Sequence, residues 1–185
     1  GSFIAIIIKD KISAAKHLQL TSGISLINYN LQRKIFEKLK ANIDDFDGIV
    51  ISDYSKGVIV EDLFVKIVDL FKSRQKFVIV DPRQKNFHFY LNQTLITPNV
   101  KESQEALGRI FSNENDLLNG GKDLLELTNS DGILMTRSEK GMTLFRRNKE
   151  PITIPTRAVH VYDVTGAGDT VIALVALLIG VSSSL

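Results

Sequence analysis

The sequence predicts an α/β fold in which a mainly parallel sheet carries helices on both faces. Short apolar runs at residues 48–51, 77–80, 94–96 and 133–135 are separated by segments with helical spacing. Strands that are apolar throughout are buried on both faces, which is typical of parallel sheets. Each run ends in polar residues, and ligands of such sheets bind beyond the carboxyl ends of the strands.

The N-terminal part of the chain adds three elements. Residues 3–8 are apolar and predict a strand, and residues 17–27 could hold another. Between residues 31 and 40, Leu31, Ile35 and Leu39 recur at helical spacing. A surface helix is therefore expected before the first parallel strand.

Three more helices are predicted further along the chain, besides the one that begins near Asn99. One follows the first parallel strand, because apolar residues mark a single face between residues 60 and 71. Another is expected at residues 113–128, although Gly120 and Gly121 inside it would each cost about 1 kcal/mol relative to alanine. Residues 171–181 are apolar but too short to cross a membrane, and they predict a buried helix.

Two strands near the C-terminal part are expected to be antiparallel. They cover residues 141–146 and 152–161 and lead into a glycine-containing loop. Pro151 precedes the second strand and Pro155 lies within it, which favours an edge position because proline cannot donate to a sheet ladder.

Composition excludes several classes of function. With 44% hydrophobic and 24% charged residues in a chain of 185, the protein can bury a core and is expected to form one globular domain. The 23 Lys and Arg residues are scattered among 21 acids, so no basic run indicates nucleic acid binding. The sequence has no cysteine, which excludes thiol catalysis and cysteine-based zinc sites. No segment predicts a membrane span or a signal peptide, and we expect a cytoplasmic protein.

The loop at residues 163–170 is the strongest candidate for an active site. Its two glycines allow the backbone to turn tightly and to approach a ligand. The helix that is expected to begin there would direct unpaired N–H groups and the positive end of its dipole at one point, which suits an anion. Asp169 could take a proton from a hydroxyl as a phosphate arrives, or it could merely cap the helix. The residues of the loop leave both interpretations open.

Two familiar glycine motifs do not fit this loop. The dinucleotide fingerprint requires a glycine where the chain has Val171, and the Gly-Lys-Ser/Thr of the Walker loop occurs nowhere. Residues 163–169 instead resemble the signature of the ribokinase-like (PfkB-type) sugar kinases. The resemblance implies that Asp169 is the catalytic base and that Asp163 and Thr165 match positions that help to hold a monovalent cation in some relatives. It also implies an anion hole made of Gly166, Ala167 and Gly168.

Asn99 and Glu102 form a second candidate site. They follow a predicted strand and open a helix, so they could simply be a capping box. In ribokinase-like kinases an Asn-x-x-Glu at this place helps to position magnesium through water. The resemblance therefore implies that both side chains face the metal-bound triphosphate.

The segment from Thr136 to Gly141 is a third candidate. Taken alone, such a hexapeptide is more often a hairpin turn than a ligand site. It is similar to the nucleotide loop of the same kinases, which implies nucleotide contacts from Thr136, Ser138 and Gly141.

Charged residues follow two further strands. The cations Lys56 and Arg83 suit a sugar phosphate or nucleotide phosphates, and the resemblance implies that they bind the substrate together with Asp53. Solvation of an ordinary surface is the alternative for a lone lysine or arginine.

The order of these motifs narrows the resemblance to one subfamily. Four motifs precede the signature loop: Ser-Asp-Tyr-x-Lys-Gly, Asp-Pro-Arg, Thr-Pro-Asn-x-x-Glu and Thr-Arg-Ser-Glu-x-Gly-Met. The motifs and their order are similar to those of the D-glycero-β-D-manno-heptose 7-phosphate kinases. These kinases are often fused to an ADP-heptose synthase of lipopolysaccharide core biosynthesis. The resemblance implies phosphorylation of heptose 7-phosphate to the 1,7-bisphosphate by ATP with Mg²⁺. The partners expected for the protein are a small sugar phosphate, a fused nucleotidyltransferase domain and further copies of itself in a homo-oligomer. Binding to nucleic acid or to a membrane is not expected.

The resemblance covers residues 48–180. The glycine-rich sugar-binding motif and the β lid of the family are not found, and of the helices that follow the catalytic aspartate in the family only the one expected at residues 171–181 is found. We therefore expect a single partial kinase domain that is inactive on its own. Residues 1–46 would be a remnant of the lid-proximal region and first helix, and residues 47–185 the nucleotide-binding and catalytic part. Another ribokinase-like sugar or nucleoside kinase, or a non-catalytic nucleotide-binding fragment, is the alternative.

Overall fold

A computed structural model describes residues 2–8, 16–21, 29–53, 58–82 and 84–156 of the chain. Short 3₁₀ turns connect several of its elements, including one at Gln84–Phe89 and one at Ser138–Lys140. In chain order the strands and helices are β1 (Ser2–Ile8), β2 (Lys16–Thr21), α1 (Tyr29–Ala41), β3 (Gly48–Ser52), α2 (Glu61–Lys72), β4 (Phe77–Asp81), β5 (Leu95–Ile96), α3 (Val100–Leu107), α4 (Glu114–Thr128), β6 (Gly132–Thr136), β7 (Met142–Arg146) and β8 (Ile152–Ile154).

All the strands that the structure describes belong to one sheet, in the spatial order β2-β1-β3-β4-β5-β6-β7-β8. The central strands β3, β4, β5 and β6 are parallel to one another. Antiparallel pairs extend the sheet on both sides, with β1 and β2 beyond β3 and with β7 and β8 beyond β6. The predicted α/β class is confirmed, and β8 ends the order of the described strands. It covers only residues 152–154 of the strand expected at 152–161, since Pro155 and Thr156 are not in a strand and residues 157–161 lie outside the described residues.

Alternate residues of the parallel strands point to two apolar clusters on opposite faces of the sheet. In β3, Ile49 and Ile51 belong to the larger cluster, whereas Val50 belongs to the smaller one. Residues of α1, α2 and α4 are part of the larger cluster, and residues of α3 pack against it. The described helices therefore cover one face, and the helix predicted at residues 171–181 lies outside the described residues.

The N-terminal elements agree with the predictions where the structure describes them. The strand expected at residues 3–8 is confirmed as β1, and β2 covers the first part of the second expected strand, whose residues 22–27 lie outside the described residues. The predicted surface helix is confirmed as α1, with Ile35 and Leu39 buried. None of the described helices has the length and apolar character needed to cross a membrane.

The two glycines inside α4 are buried against aromatic rings. A Cβ atom at Gly120 would overlap the ring of Phe111, and one at Gly121 would overlap the ring of Phe145. Phe145 is only 1% exposed and lies in the larger cluster. The helix therefore accepts the propensity cost of glycine because its backbone packs directly on these rings.

This packing predicts that Gly121→Ala destabilises the native protein by about 1–3 kcal/mol, the usual cost of overpacking. Helix propensity alone predicts the opposite, a gain of about 1 kcal/mol. The shift in the midpoint of urea unfolding, at an unchanged m value, measures this change in the free energy of unfolding. Asn119→Ala, at an exposed position of the same helix, is the matched control and should be neutral or slightly stabilising. A stabilised Gly121→Ala variant would show that the ring contact is dispensable.

Candidate active site

The register of the parallel strands brings their carboxyl ends to one edge of the sheet. Ser52 is paired with Asp81, and an isolated parallel bridge joins Asn99 to Thr136. The amide of Thr97 donates to a β4 carbonyl at 2.9 Å, which fixes the end of β5 beside β4. The prediction that four polar strand ends share one edge is confirmed.

Asn99 and Glu102 form a complete capping box at the start of α3. The Oδ1 atom of Asn99 accepts from the amide of Glu102 at 2.8 Å, and Oε2 of Glu102 accepts from the amide of Asn99 at 2.9 Å. Asn99 is exposed, whereas Glu102 is 8% exposed. The two hydrogen bonds of the predicted capping box are therefore confirmed, and an interaction of Asn99 and Glu102 with metal-bound phosphate stays a prediction.

The segment from Thr136 to Gly141 is the tight connection between the antiparallel strands β6 and β7. One turn of 3₁₀ helix covers Ser138–Lys140, with Ser138 at a φ of 53° and Gly141 at 82°. A Cβ atom at Gly141 would also overlap the carbonyl of Ile154, so the position requires glycine on two grounds. The hairpin interpretation is confirmed, and nucleotide contacts from this turn stay a prediction.

Arg137 is a residue of this turn that sequence analysis did not single out. Its guanidinium donates to both carboxylate oxygens of Glu114, at 2.8 and 2.6 Å, and to Oγ1 of Thr143 at 3.0 Å. The side chain is 6% exposed, so it points into the protein and not toward solvent. The alternation of β6 is the signal that could have revealed this, since Ile133 and Met135 on the same side of the strand belong to the larger cluster.

Asp53 is buried at the end of β3, with 3% of the residue exposed. Its Oδ2 atom accepts hydrogen bonds from Nδ2 of Asn86 and from the hydroxyl of Tyr90, both at 2.5 Å. Beside it, Oγ of Ser52 donates to Oδ2 of Asp81 at 3.1 Å. The carboxylate predicted to bind substrate is thus also bonded to the turn that follows β4.

The structure brings several predicted site residues together and leaves others undescribed. Asp53, Asn99, Glu102 and the turn that holds Thr136, Ser138 and Gly141 lie at the same edge of the sheet. Among the residues that the structure describes, no group of three or more His, Asp or Glu side chains could hold a metal. The predicted residues outside the described ranges are Lys56, Arg83, Asp163, Thr165, Gly166, Ala167, Gly168 and Asp169.

Curated relatives of the chain share one name, Bifunctional protein HldE. The protein of Aliarcobacter butzleri is 42% identical over 159 residues, which is 85% of this chain and 33% of the relative. The protein of Shewanella baltica is 38% identical over 186 residues, covering 96% of this chain and 38% of the relative. The chain therefore spans about a third of the length of the curated relatives it matches.

Solved structures resemble the chain at low sequence identity, which bears on the fold alone. Phosphofructokinase-2 from Escherichia coli in complex with potassium has a TM-score of 0.72 at 15% identity, covering 91% of this chain and 55% of that structure. Arabidopsis thaliana ribokinase complexed with ribose and ATP has a TM-score of 0.62 at 15% identity, with 95% and 55% covered.

A match to a family model shows to which protein family the chain belongs. The model described as pfkB family carbohydrate kinase matches residues 10–179, which is most of the chain. The relatives at about 40% identity and the shared fold agree with that match. The chain belongs to the pfkB family of carbohydrate kinases.

Proposed function

We propose that this chain is the nucleotide-binding and catalytic part of an ATP-dependent sugar phosphate kinase. The observation that carries the proposal is the common edge of the sheet, where the Asn99–Glu102 pair and the turn from Thr136 to Gly141 lie side by side. These two motifs were assigned to the nucleotide from sequence resemblance, and family membership supports that assignment. In this proposal residues 47–185 bind the nucleotide and carry out the reaction, and residues 1–46 are the lid-proximal remnant.

The substrate that we propose is D-glycero-D-manno-heptose 7-phosphate, converted to the 1,7-bisphosphate. The motif order of the heptose kinases and the HldE name of the relatives support this choice. Because those relatives are called bifunctional, we also propose that a nucleotidyltransferase accompanies the kinase. A cytoplasmic location, self-association into a homo-oligomer and a role in lipopolysaccharide core biosynthesis belong to the same proposal.

The proposed chemistry is the transfer of the γ-phosphoryl group of ATP to a sugar hydroxyl. Asp169 takes the hydroxyl proton while the sugar oxygen bonds to the γ-phosphorus and the bond to the ADP oxygen breaks. The backbone N–H groups of Gly166, Ala167 and Gly168 stabilise the charge on the transferred group.

Asn99 and Glu102 have the chemistry to serve a bound magnesium ion while they cap α3. Oε2 of Glu102 accepts the capping bond from the amide of Asn99, and an ionised carboxylate accepts at both of its oxygens. Oxygen donors are the ligands that Mg²⁺ prefers, often through water. Bound magnesium would neutralise the charge of the phosphates. Asp163 and Thr165 are proposed for a monovalent cation, since a structural relative was solved in complex with potassium.

The substrate-binding group in this proposal consists of Asp53, Lys56 and Arg83. The two cations would pair with the phosphate of the sugar. Asp53 would act from a fixed position, because Asn86 and Tyr90 already hold its carboxylate.

The proposal predicts that the complete native protein phosphorylates heptose 7-phosphate with ATP and Mg²⁺ in preference to ribose or adenosine. Mass spectrometry of the product measures the added phosphoryl group, and initial rates across the panel measure kcat/KM. Preference for ribose or adenosine would assign the protein to another kinase of the family. Nucleotide binding without turnover of any acceptor would favour the non-catalytic alternative.

The catalytic assignment predicts that Asp169→Asn lowers turnover by about 10²–10⁴-fold, the usual contribution of a general base. Affinity for ATP should change little or rise, because a negative charge near the phosphates is removed. The melting temperature should be unchanged, because asparagine caps a helix as well as aspartate does. Asp131→Asn, at an exposed acid that precedes β6, is the matched control. Near-normal turnover of Asp169→Asn would make this residue a helix cap only.

The metal assignment predicts that Glu102→Gln raises the Mg²⁺ concentration needed for half-maximal activity by about tenfold, which corresponds to about 1.4 kcal/mol. Glutamine preserves the capping box, so the melting temperature should stay close to that of the wild type. Glu105→Gln changes the same residue type on the same helix and should leave the Mg²⁺ dependence unchanged. An unaltered Mg²⁺ dependence in Glu102→Gln would limit Glu102 to its structural role.

A further inference from the structure

A buried arginine is unusual, and this chain places one directly beneath the turn proposed to bind the nucleotide. Arg137 is 9% exposed, and arginine is almost never buried unless it is paired. Here the pairing is bidentate, with Nη1 and Nη2 each donating to one oxygen of Glu114. Such fork-to-fork geometry fixes the relative orientation of the two groups as well as their distance.

The same residue closes the turn through its backbone. The amide of Arg137 donates to the carbonyl of Gly141 at 2.8 Å, and its carbonyl accepts from the amide of Lys140 at 3.1 Å. Side chain and backbone together connect the turn with α4 and, through Thr143, with β7. A displacement of the guanidinium would therefore displace the turn.

Glu114 is a firm anchor because the start of α4 is well capped. The Oδ1 atom of Asn113 accepts from the amide of Asp116 at 3.0 Å, and the carboxylate of Asp116 accepts from the amide of Ser112 at 2.9 Å. Glu114 itself lies in the first turn of the helix, where the helix dipole favours a negative charge. The carboxylate that receives Arg137 thus belongs to a rigid element.

We propose that Arg137 is a positioning residue for the nucleotide: its ion pair with Glu114 holds the turn from Ser138 to Gly141 against α4 in the conformation that binds ATP. The inference rests on the proposed function. Direct contact of Arg137 with a phosphate is disfavoured, because the side chain is 6% exposed and donates three hydrogen bonds to Glu114 and Thr143. The role of Arg137 is to set the backbone of the turn.

A second arginine provides a matched control at the other end of the same helix. Arg147 follows β7 and donates to the carbonyl of Leu125 at 3.1 Å, to Oδ1 of Asn129 at 2.8 Å and to the carbonyl of Ser130 at 3.2 Å. It therefore also ties α4 to the sheet. Because β7 runs antiparallel to β6, Arg147 lies at the edge opposite the candidate site. Loss of Arg147 loosens α4 without touching the turn.

The experiment compares Arg137→Met, Arg137→Lys, Glu114→Gln and Arg147→Met in the complete native protein. Initial rates give kcat and the two KM values, titration calorimetry gives the affinity for ATP, and thermal unfolding gives Tm. We expect Arg137→Met to raise the KM and the Kd for ATP by about tenfold or more, with kcat and the KM of the sugar phosphate within about twofold of wild type. Arg137→Lys should not rescue this, because lysine cannot form the bidentate pair. Glu114→Gln keeps one acceptor and should show a smaller effect in the same direction.

Several outcomes would overturn the inference. If the wild type binds ATP and both Arg137→Met and Glu114→Gln bind it equally well, the positioning role is contradicted. The proposed function would not be affected by that outcome. Equal losses of ATP affinity in Arg147→Met and Arg137→Met would make both arginines general stabilisers. Should Arg137→Met fail to fold, Glu114→Gln decides between these outcomes, because the side chain of Glu114 is 54% exposed and glutamine preserves its size. Wild-type protein that binds no ATP would overturn the proposed function, and this inference with it.

Discussion

The parallel pairing of β3, β4, β5 and β6 is the constraint on which the rest of the structure depends. Because these strands are apolar on both faces, their residue pattern alone would tolerate a shift in register. Hydrogen bonds beyond the strand ends remove that freedom. The amide of Asp53 donates to the carbonyl of Asp81 at 3.2 Å, and the amide of Thr136 donates to the carbonyl of Pro98 at 2.9 Å. The polar segments that form the candidate site are therefore the ones that extend the ladder past the apolar core.

Strand alternation divides the polar residues at this edge into two groups. Asp53 and Arg137 continue the side that faces the helices, and both are buried and bonded to protein groups. Asp81 and Thr136 continue the opposite side and are only partly buried. The first group attaches the edge to the helical layer, and the second group lies on the other face of the sheet. The side of the strand that carries a polar residue thus determines whether its side chain meets the helical layer or the other face of the sheet.

Much of the fold could be predicted from the sequence because apolar runs and helical spacing report burial directly. Gly120 and Gly121 lower the helix propensity of α4, and the packing that accompanies them could not be foreseen, since Phe145 lies in a later strand and meets Gly121 only after folding. The same limit applies to Arg137. Strand alternation directs its side chain toward the helices, but its partner could not be foreseen, because Glu114 precedes it by 23 positions and becomes a neighbour only when α4 packs beside β6.

The candidate site was harder to assign than the fold because its residues also satisfy local structure. Asn99 and Glu102 cap α3, and Gly141 is required by the turn, so each would be chosen for folding even without a ligand. These structural roles do not exhaust the chemistry of the residues. The capping bonds occupy part of the oxygen lone pairs, and the turn leaves Ser138 exposed at the site edge. A sequence motif at such a position therefore cannot separate a folding role from a binding role by itself. The separation requires substitutions that keep the local hydrogen bonds and remove only the charge or the proton acceptor.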